Sequence, residues 1–184
     1  MSRETRGLSA AEVTSATVES VAENFTDSVA APLLAYAAGG LPAAWAYRAL
    51  NTADAMWGYR DARYERFGKV AARLDDAVNL VPARLAAVAL AGGAAVAGEN
   101  GSGAARLAWR DHRRTASPNA GWPMAAMAGA LDVGLEKRGA YRLGDAPLPD
   151  SVDAIPRAIR VFAAASALIV GATVTLAVLR REPR

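Results

Sequence analysis

An all-α, membrane-associated helical bundle with short broken or re-entrant helices is the fold class this sequence predicts, and three observations lead to it. Across 184 residues the chain is 53% hydrophobic but only 7% aromatic, so its apolar bulk is Ala, Val and Leu. Small side chains let helices approach closely in lipid, where no hydrophobic difference drives them together. Second, Val161 to Leu179 is an uncharged stretch, roughly 28 Å long as a helix against a hydrocarbon core of about 30 Å. Arg157 and Arg160 flank one end, and Arg180, Arg181 and Arg184 the other. Third, polar clusters interrupt the remaining apolar stretches at Glu23-Asn24, Asp27, Asn51 to Asp54, Arg73 to Asp76 and Ser117 to Pro123. Polar groups in such surroundings are costly and mark function. A single domain over residues 1–184 is expected from the length.

Taken in order, Ser9 to Glu12 fits a capping box, in which a hydroxyl and a carboxylate satisfy free backbone donors as a helix begins. It predicts a helix from Ala10 to Ala31, ended or kinked at Pro32. Leu33 to Leu50 is apolar but interrupted by Gly39-Gly40-Leu41-Pro42, which predicts two short helices or a re-entrant hairpin. Thr52 to Asp76 is amphipathic and basic, with Arg60, Arg63, Arg66, Lys69 and Arg73, and is placed on the membrane surface. Leu80 to Gly98 carries one charge, Arg84, and Gly92-Gly93 near its middle. Both loops flanking it are basic, and the positive-inside rule favours a non-spanning or hairpin segment over one that spans. Glu99 to Gly103 reads as a flexible turn before a short basic helix.

Composition also excludes several functions. The net charge of +3 and pI of about 9.6 come from basic residues in loops, not from an aromatic-interleaved stripe, which argues against nucleic acid. With no cysteine, thiol catalysis, thiolate metal sites and disulfides are excluded. The opening MSRETRGLSAAEV has no apolar core and is no secretory signal, so the N-terminus is expected in the cytoplasm. The one histidine, His112, sits in a basic run and reads as solvated surface. The glycine-rich stretches lack the Lys-Ser/Thr of a P-loop.

The candidate site residues fall in four groups. Glu19, Glu23 and Asp27 recur at helical spacing, so three carboxylates share one face with Asn24 beside them. Like charges at that spacing repel by about 0.2–0.5 kcal/mol per pair in water, which calls for compensation by a divalent cation, an amine or arginines from the basic loops. Asn51 and Asp54 share a face, followed by Tyr59 and Arg60. Arg73, Asp75, Asp76 and Asn79 repeat the combination. Magnesium takes one or two carboxylates plus water and phosphate oxygens, and guanidinium groups bind phosphate or carboxylate; the alternative is that Asp75 or Asp76 caps the next helix. Ser117-Pro118-Asn119-Ala120-Gly121-Trp122-Pro123 makes a rigid turn with close backbone access.

Four stretches, VAENFTDSVAAPLLAY, LPAAWAYRALNTADAMWGYR, FGKVAARLDDAVNLVPARL and SPNAGWPMAAMAGAL, resemble in order the CobD/CbiB family, the adenosylcobinamide-phosphate synthases of cobalamin biosynthesis. The resemblance implies a multi-pass protein of the cell membrane, active on its cytoplasmic face. It implies a ligase that joins adenosylcobyric acid, the corrinoid substrate, to aminopropanol or its phosphate with ATP and Mg2+. From their chemistry, Asp75 and Asp76, with Asp54, are then expected to hold magnesium, Arg60 and Arg73 to stabilise phosphate charge, and Glu23 or Asp27 to orient the amine and accept its proton. Asn24, Asn51, Tyr59, Ser117, Asn119 and Gly121 are expected to bind substrate. Three departures stand out: Thr115-Ala116 where the family often has His before its serine-proline-asparagine, Met124 where an acid is common, and Ser28 where Gly is usual. The match is expected to cover only the family's C-terminal portion, without its first membrane helices. The alternative reading is a non-catalytic corrinoid-binding or scaffolding membrane component that meets other cobalamin-assembly enzymes; a third is an ion-binding or transport subunit using the buried acids.

Overall fold

The computed structural model describes residues 7–57 and 65–179; Tyr59, Arg60, Arg63 and the arginines at 180, 181 and 184 lie outside them. Among the described residues the regular structure is helical except for one small β-hairpin. Ser9 begins α1 (Ala10–Phe25) with the expected capping box, its N–H donating to Glu12 Oε2 at 2.8 Å and its Oγ accepting from the Glu12 N–H at 3.3 Å.

Pro32 does not end this helix. The chain passes through a π-helical turn, Thr26–Ala30, and continues into α2 (Ala31–Trp57). A proline ring lacks a donor and crowds the carbonyl four residues back, and the wide turn just before it makes the room. The break comes at Gly39 and Gly40. Gly40, at φ 68° and ψ −159°, occupies backbone space open essentially to glycine alone. Pro42 then opens the return leg, where a missing N–H costs little. The two legs fold back on each other: Arg48 Nη1 donates to the Asp27 carbonyl at 3.3 Å, although a straight helix would separate them by roughly 31 Å. Of the two forms expected from Gly39–Pro42, two short helices or a re-entrant hairpin, the legs take the hairpin arrangement.

Helix α3 (Glu65–Val78) meets α4 (Leu80–Val96) at a bend of 49°. Pro82 explains it, since it has no N–H for the Val78 carbonyl and its ring displaces that carbonyl. Of the two forms expected for residues 80–98, non-spanning or hairpin, the hairpin is corrected. These residues form one unbroken helix through Gly92 and Gly93, closed by Gly98 at φ 75°. These glycines serve close packing: a Cβ on Gly93 would lie 2.6 Å from the Ala165 nitrogen of α7 (Ala154–Leu179). The return leg is a separate helix, α5 (Gly101–Asp111).

Nor is Glu99 to Gly103 a flexible turn. Glu99 pairs with Arg157 at 2.5 Å and Arg160 at 3.4 Å, and the bonds from Arg157 hold its carboxyl below the ordinary carboxylate range despite burial. Asn100 caps α5 through the Gly103 N–H at 2.7 Å and donates to Asp132 at 2.9 Å.

All of α6 (Gly121–Leu131) is buried, as befits a helix apolar on every side. It crosses α5 with backbones touching, because a Cβ on Gly103 would lie 2.6 Å from the Gly129 carbonyl oxygen, and one on Gly129 would overlap the Gly103 carbonyl. After α6 comes the feature an all-α expectation lacks, the antiparallel hairpin β1 (Leu135–Lys137) and β2 (Tyr141–Leu143), turning at Gly139. Its inward Leu135 and Leu143 are fully buried, and Ser15 Oγ accepts from the Glu136 N–H at 2.9 Å, fastening it to α1. Asp111, at 0% exposure, takes the Gly144 N–H at 2.8 Å and pairs with Arg110 and Arg114. Burial opposes its ionisation, but these partners prevail and hold it below the ordinary range.

Among the described residues two helical stretches, Ala10–Met56 and Ala154–Leu179, are long and apolar enough to cross a membrane, and the bent pair Gly68–Val78 with Leu80–Val96 makes a third if it is one span. The first of these is folded back at Gly40. Large apolar side chains line the outside: Leu168, Val170, Val174, Leu176 and Val178 on α7, and Val70, Leu74, Val78, Val81, Leu85 and Val88 along α3 and α4. In water such a surface would be a liability; against lipid it is the solvated face.

Gly129→Val should destabilise the bundle by about 3 kcal/mol or more, because the added side chain meets backbone that cannot yield. Gly171→Ala, with nothing within 4 Å of the new Cβ, should gain roughly 0.5–1 kcal/mol of helix stability. Unfolding midpoints in detergent distinguish the two, and equal midpoints would contradict the close crossing.

Candidate functional site

A cleft of about 400 Å³ opens where α1, the π-helical turn, the end of α2, the α3–α4 bend, the 117–123 turn and the β-hairpin meet. Glu19, Glu23, Asp27, Asp54, Asp75 and Asp76 line it, with Ser117 and Asn119 on another wall. Every candidate carboxylate thus reaches one space. The route is local geometry: the hairpin returns Asp54 toward Asp27, and the Pro82 bend turns α4 aside so that the last turn of α3 faces the cleft.

Two hydrogen-bond sets fix the walls. Asp75 accepts from Asn79 Nδ2 at 3.0 Å and Asn51 Nδ2 at 3.4 Å, Tyr47 OH donates to Asn79 Oδ1 at 3.0 Å, and Arg48 donates to Asn51 Oδ1 at 3.3 Å. Asp76 belongs to the other set: Asn119 Nδ2 donates to its carbonyl at 2.8 Å and Ser117 Oγ to its carboxylate at 3.3 Å. Ser117 Oγ in turn accepts the N–H groups of Asn119 and Ala120 at 3.2 and 3.3 Å. The turn after α5 therefore comes back to the start of α4. Neither acid caps α4, whose N-cap residue is Asn79 without a side-chain cap bond, so the helix-cap alternative is removed.

The acids differ in their partners. Glu19, 2% exposed, is held by Ser15 Oγ at 3.0 Å and Tyr141 OH at 2.6 Å. Asp27, Asp54, Asp75 and Asp76 make no salt bridge among the described residues. Two enclosed oxygens on the same walls, Thr26 Oγ1 and Asn119 Oδ1, have no hydrogen-bond partner there. Buried groups of that kind need a ligand or water. Among the described residues no three acid or histidine side chains meet closely enough to hold a metal ion by themselves.

Other candidates lie elsewhere. Asn24 and Arg73 are exposed and do not line the cleft. Asn51 stands behind Asp75 as a support. Gly121 starts α6, where a Cβ would overlap the His112 carbonyl, so its place is one of backbone approach. Tyr59 and Arg60 are outside the described residues. Thr26, Lys137 and Tyr141 complete the lining without having been singled out from sequence. For the last two the sequence offered only the glycine of the Arg138-Gly139-Ala140 turn between two short stretches, a faint hairpin signal. His112 is not solvated surface: half-buried, it stacks on Trp122 with ring centroids 3.9 Å apart.

The chain matches the CobD/Cbib protein family over residues 1–169. It belongs to the CobD/CbiB family. A probable cobalamin biosynthesis protein CobD of Methanothermobacter thermautotrophicus is 49% identical over 145 residues, 79% of this chain and 49% of that protein. The CobD of Dehalococcoides mccartyi is 49% identical over 145 residues, 79% of this chain and 47% of its own. The CbiB of Salmonella typhimurium is 41% identical over 174 residues, 90% of this chain and 54% of its own. The chain spans about half the length of the curated relatives it matches. No solved structure matches it.

Asn119→Asp should loosen the CobD/CbiB cleft more than Asn119→Ala. It sets a carboxylate against the Asp76 carbonyl and carboxylate, where the amide donates. With roughly 1–3 kcal/mol at stake, amide hydrogen exchange at residues 117–121 should quicken about ten-fold or more in Asn119→Asp. Unchanged exchange would mean the turn is held without this contact.

Proposed function

We propose that the cleft is the reaction site of an amide-forming ligase of cobalamin assembly, which joins adenosylcobyric acid to aminopropanol or its phosphate, giving adenosylcobinamide or its phosphate. The observation that supports the reading is the convergence of Asp27, Asp54, Asp75 and Asp76, none of which makes a salt bridge among the described residues, in a chain of a cobalamin-biosynthesis family. Four carboxylates together in a partly enclosed space repel one another and either take up protons or draw in positive charge. A metal ion and a substrate ammonium supply it.

The residues fit magnesium. Asp75 and Asp76, with Asp54 opposite, offer the one or two carboxylates it takes, and the open volume leaves its other positions to water and phosphate oxygens. When bound, ATP with Mg2+ would activate the corrinoid carboxyl by phosphorylation and give it a leaving group. Asp27 or Glu23 orients the ammonium of the amine and accepts its proton, so that the nitrogen lone pair is free to attack. Asn119 Oδ1 and Thr26 Oγ1 accept from the substrate's remaining donors. Lys137 lines the cleft where Arg73 does not, and shares the balancing of phosphate charge with Arg60. Asn79 and Asn51 hold Asp75, and Ser117 holds Asp76, so neither carboxylate has to reorganise during the reaction. The cleft is assigned to the cytoplasmic side, where ATP is available.

Asp75→Asn and Asp76→Asn test this: the amide at 76 keeps the one oxygen that accepts from Ser117 and Asn119 and loses only the charge, whereas the amide at 75 also gives up one of the two bonds that Asn51 and Asn79 donate to separate oxygens. In membranes containing the full-length protein, conversion of adenosylcobyric acid should fall on the order of 100-fold or more, with expression and corrinoid binding retained. Near-normal turnover in both variants would remove the metal role and favour a scaffolding component.

A further inference from the structure

A second cleft, of about 770 Å³, lies on the outer face of α4 and α5 and shares no residue with the first. Its walls are basic and aromatic. Trp122 stands at the centre: His112 stacks on it, Trp109 meets it edge-on with centroids 6.1 Å apart, and the Arg84 guanidinium lies 5.1 Å from its ring centroid. Arg110 and Arg113 close the rim. Arg110 is already matched by Asp111 and Asp145, whereas Arg84 and Arg113 make no salt bridge among the described residues. The cleft thus carries unmatched positive charge, and no acid side chain lines it.

Its surroundings say where that charge sits. Arg84 is the only charged residue of α4, whose outward side chains Val81, Leu85 and Val88 are exposed and apolar. Its exposed side chain turns back along the helix, Nη1 donating to the Leu80 carbonyl at 2.5 Å, so that the apolar stem lies against the helix while the charged end stays accessible. Trp109 is 75% exposed beside it, and exposed indole is enriched at the membrane–water boundary. An anion seated on Arg84 and Arg113 with two apolar tails lying along Val81, Leu85 and Val88 satisfies both halves of the surface. Basic pockets between membrane helices bind anionic lipid headgroups on this principle.

We propose that the cleft of Arg84, Trp109, Arg110, His112, Arg113 and Trp122 binds the headgroup phosphate of an anionic phospholipid. Trp122 follows directly on the Ser117–Gly121 turn, so the occupied cleft braces the segment that carries Asn119 to Asp76.

The test places the full chain in phosphatidylcholine nanodiscs with or without phosphatidylglycerol and counts retained lipid by native mass spectrometry after release. Arg84→Gln with Arg113→Gln should lower the preference for phosphatidylglycerol by about ten-fold or more. Arg106→Gln, which removes an exposed charge elsewhere on α5, should leave it unchanged. The double variant must keep the parent's unfolding midpoint in phosphatidylcholine alone, and Arg84→Lys, which retains charge, should restore part of the preference. Equal loss in the Arg106 variant, an undiminished preference in the double variant, or displacement of the lipid by soluble inorganic phosphate would overturn the proposal.

Discussion

The junction of α3 and α4 is the constraint on which the site depends. Pro82 cannot give its carbonyl partner a hydrogen bond, the helix bends by 49°, and three polar residues in a row of five, Asp75, Asp76 and Asn79, face inward. Asp75 and Asn79 tie the bend to the hairpin's return leg through Asn51 and Tyr47. Asp76 ties it to the turn before α6 through Ser117 and Asn119. A straight helix there would carry these groups past their partners, and the cleft would lose two of its walls.

Close backbone packing makes the bend possible. Gly93 against Ala165 and Gly103 against Gly129 bring helix axes nearer than side chains would allow, so α4, α5, α6 and α7 share a core built largely of alanines. In lipid, such contacts and interhelical hydrogen bonds carry the association that the hydrophobic effect carries in water. The polar fastenings lie at the ends: Glu99 with Arg157 and Arg160, Asp111 with Arg110 and Arg114, and the β-hairpin bound to α1 through Ser15 and Glu19.

What was legible in the sequence was whatever backbone chemistry dictates locally. The capping box at Ser9, the reversal at Gly39–Gly40 and the long apolar α7 follow from residue type alone, and the carboxylate groups stood out because acids among apolar residues are costly. Pro32 misled because the π-helical turn absorbs it. Gly92–Gly93 misled because glycine signals either a break or a close approach, and only the neighbour at Ala165 decides. His112 looked solvated because its partner, Trp122, is brought to it by tertiary packing. Lys137 and Tyr141 were not singled out because a three-residue strand has too little alternation to declare itself in an otherwise helical chain.

The central claim is that the two polar motifs, around Asp76 and around Ser117, meet at the same end of the α4–α5 pair. The absence of cysteine makes a direct measurement simple: cysteines are placed at Asp76 and Ser117, or at Asp76 and Ser102, and membranes are treated with a mild oxidant. An intramolecular disulfide is expected for the first pair and none for the second, which α4 holds roughly 26 Å apart. No cross-link in the first pair, or one in the second, would contradict it.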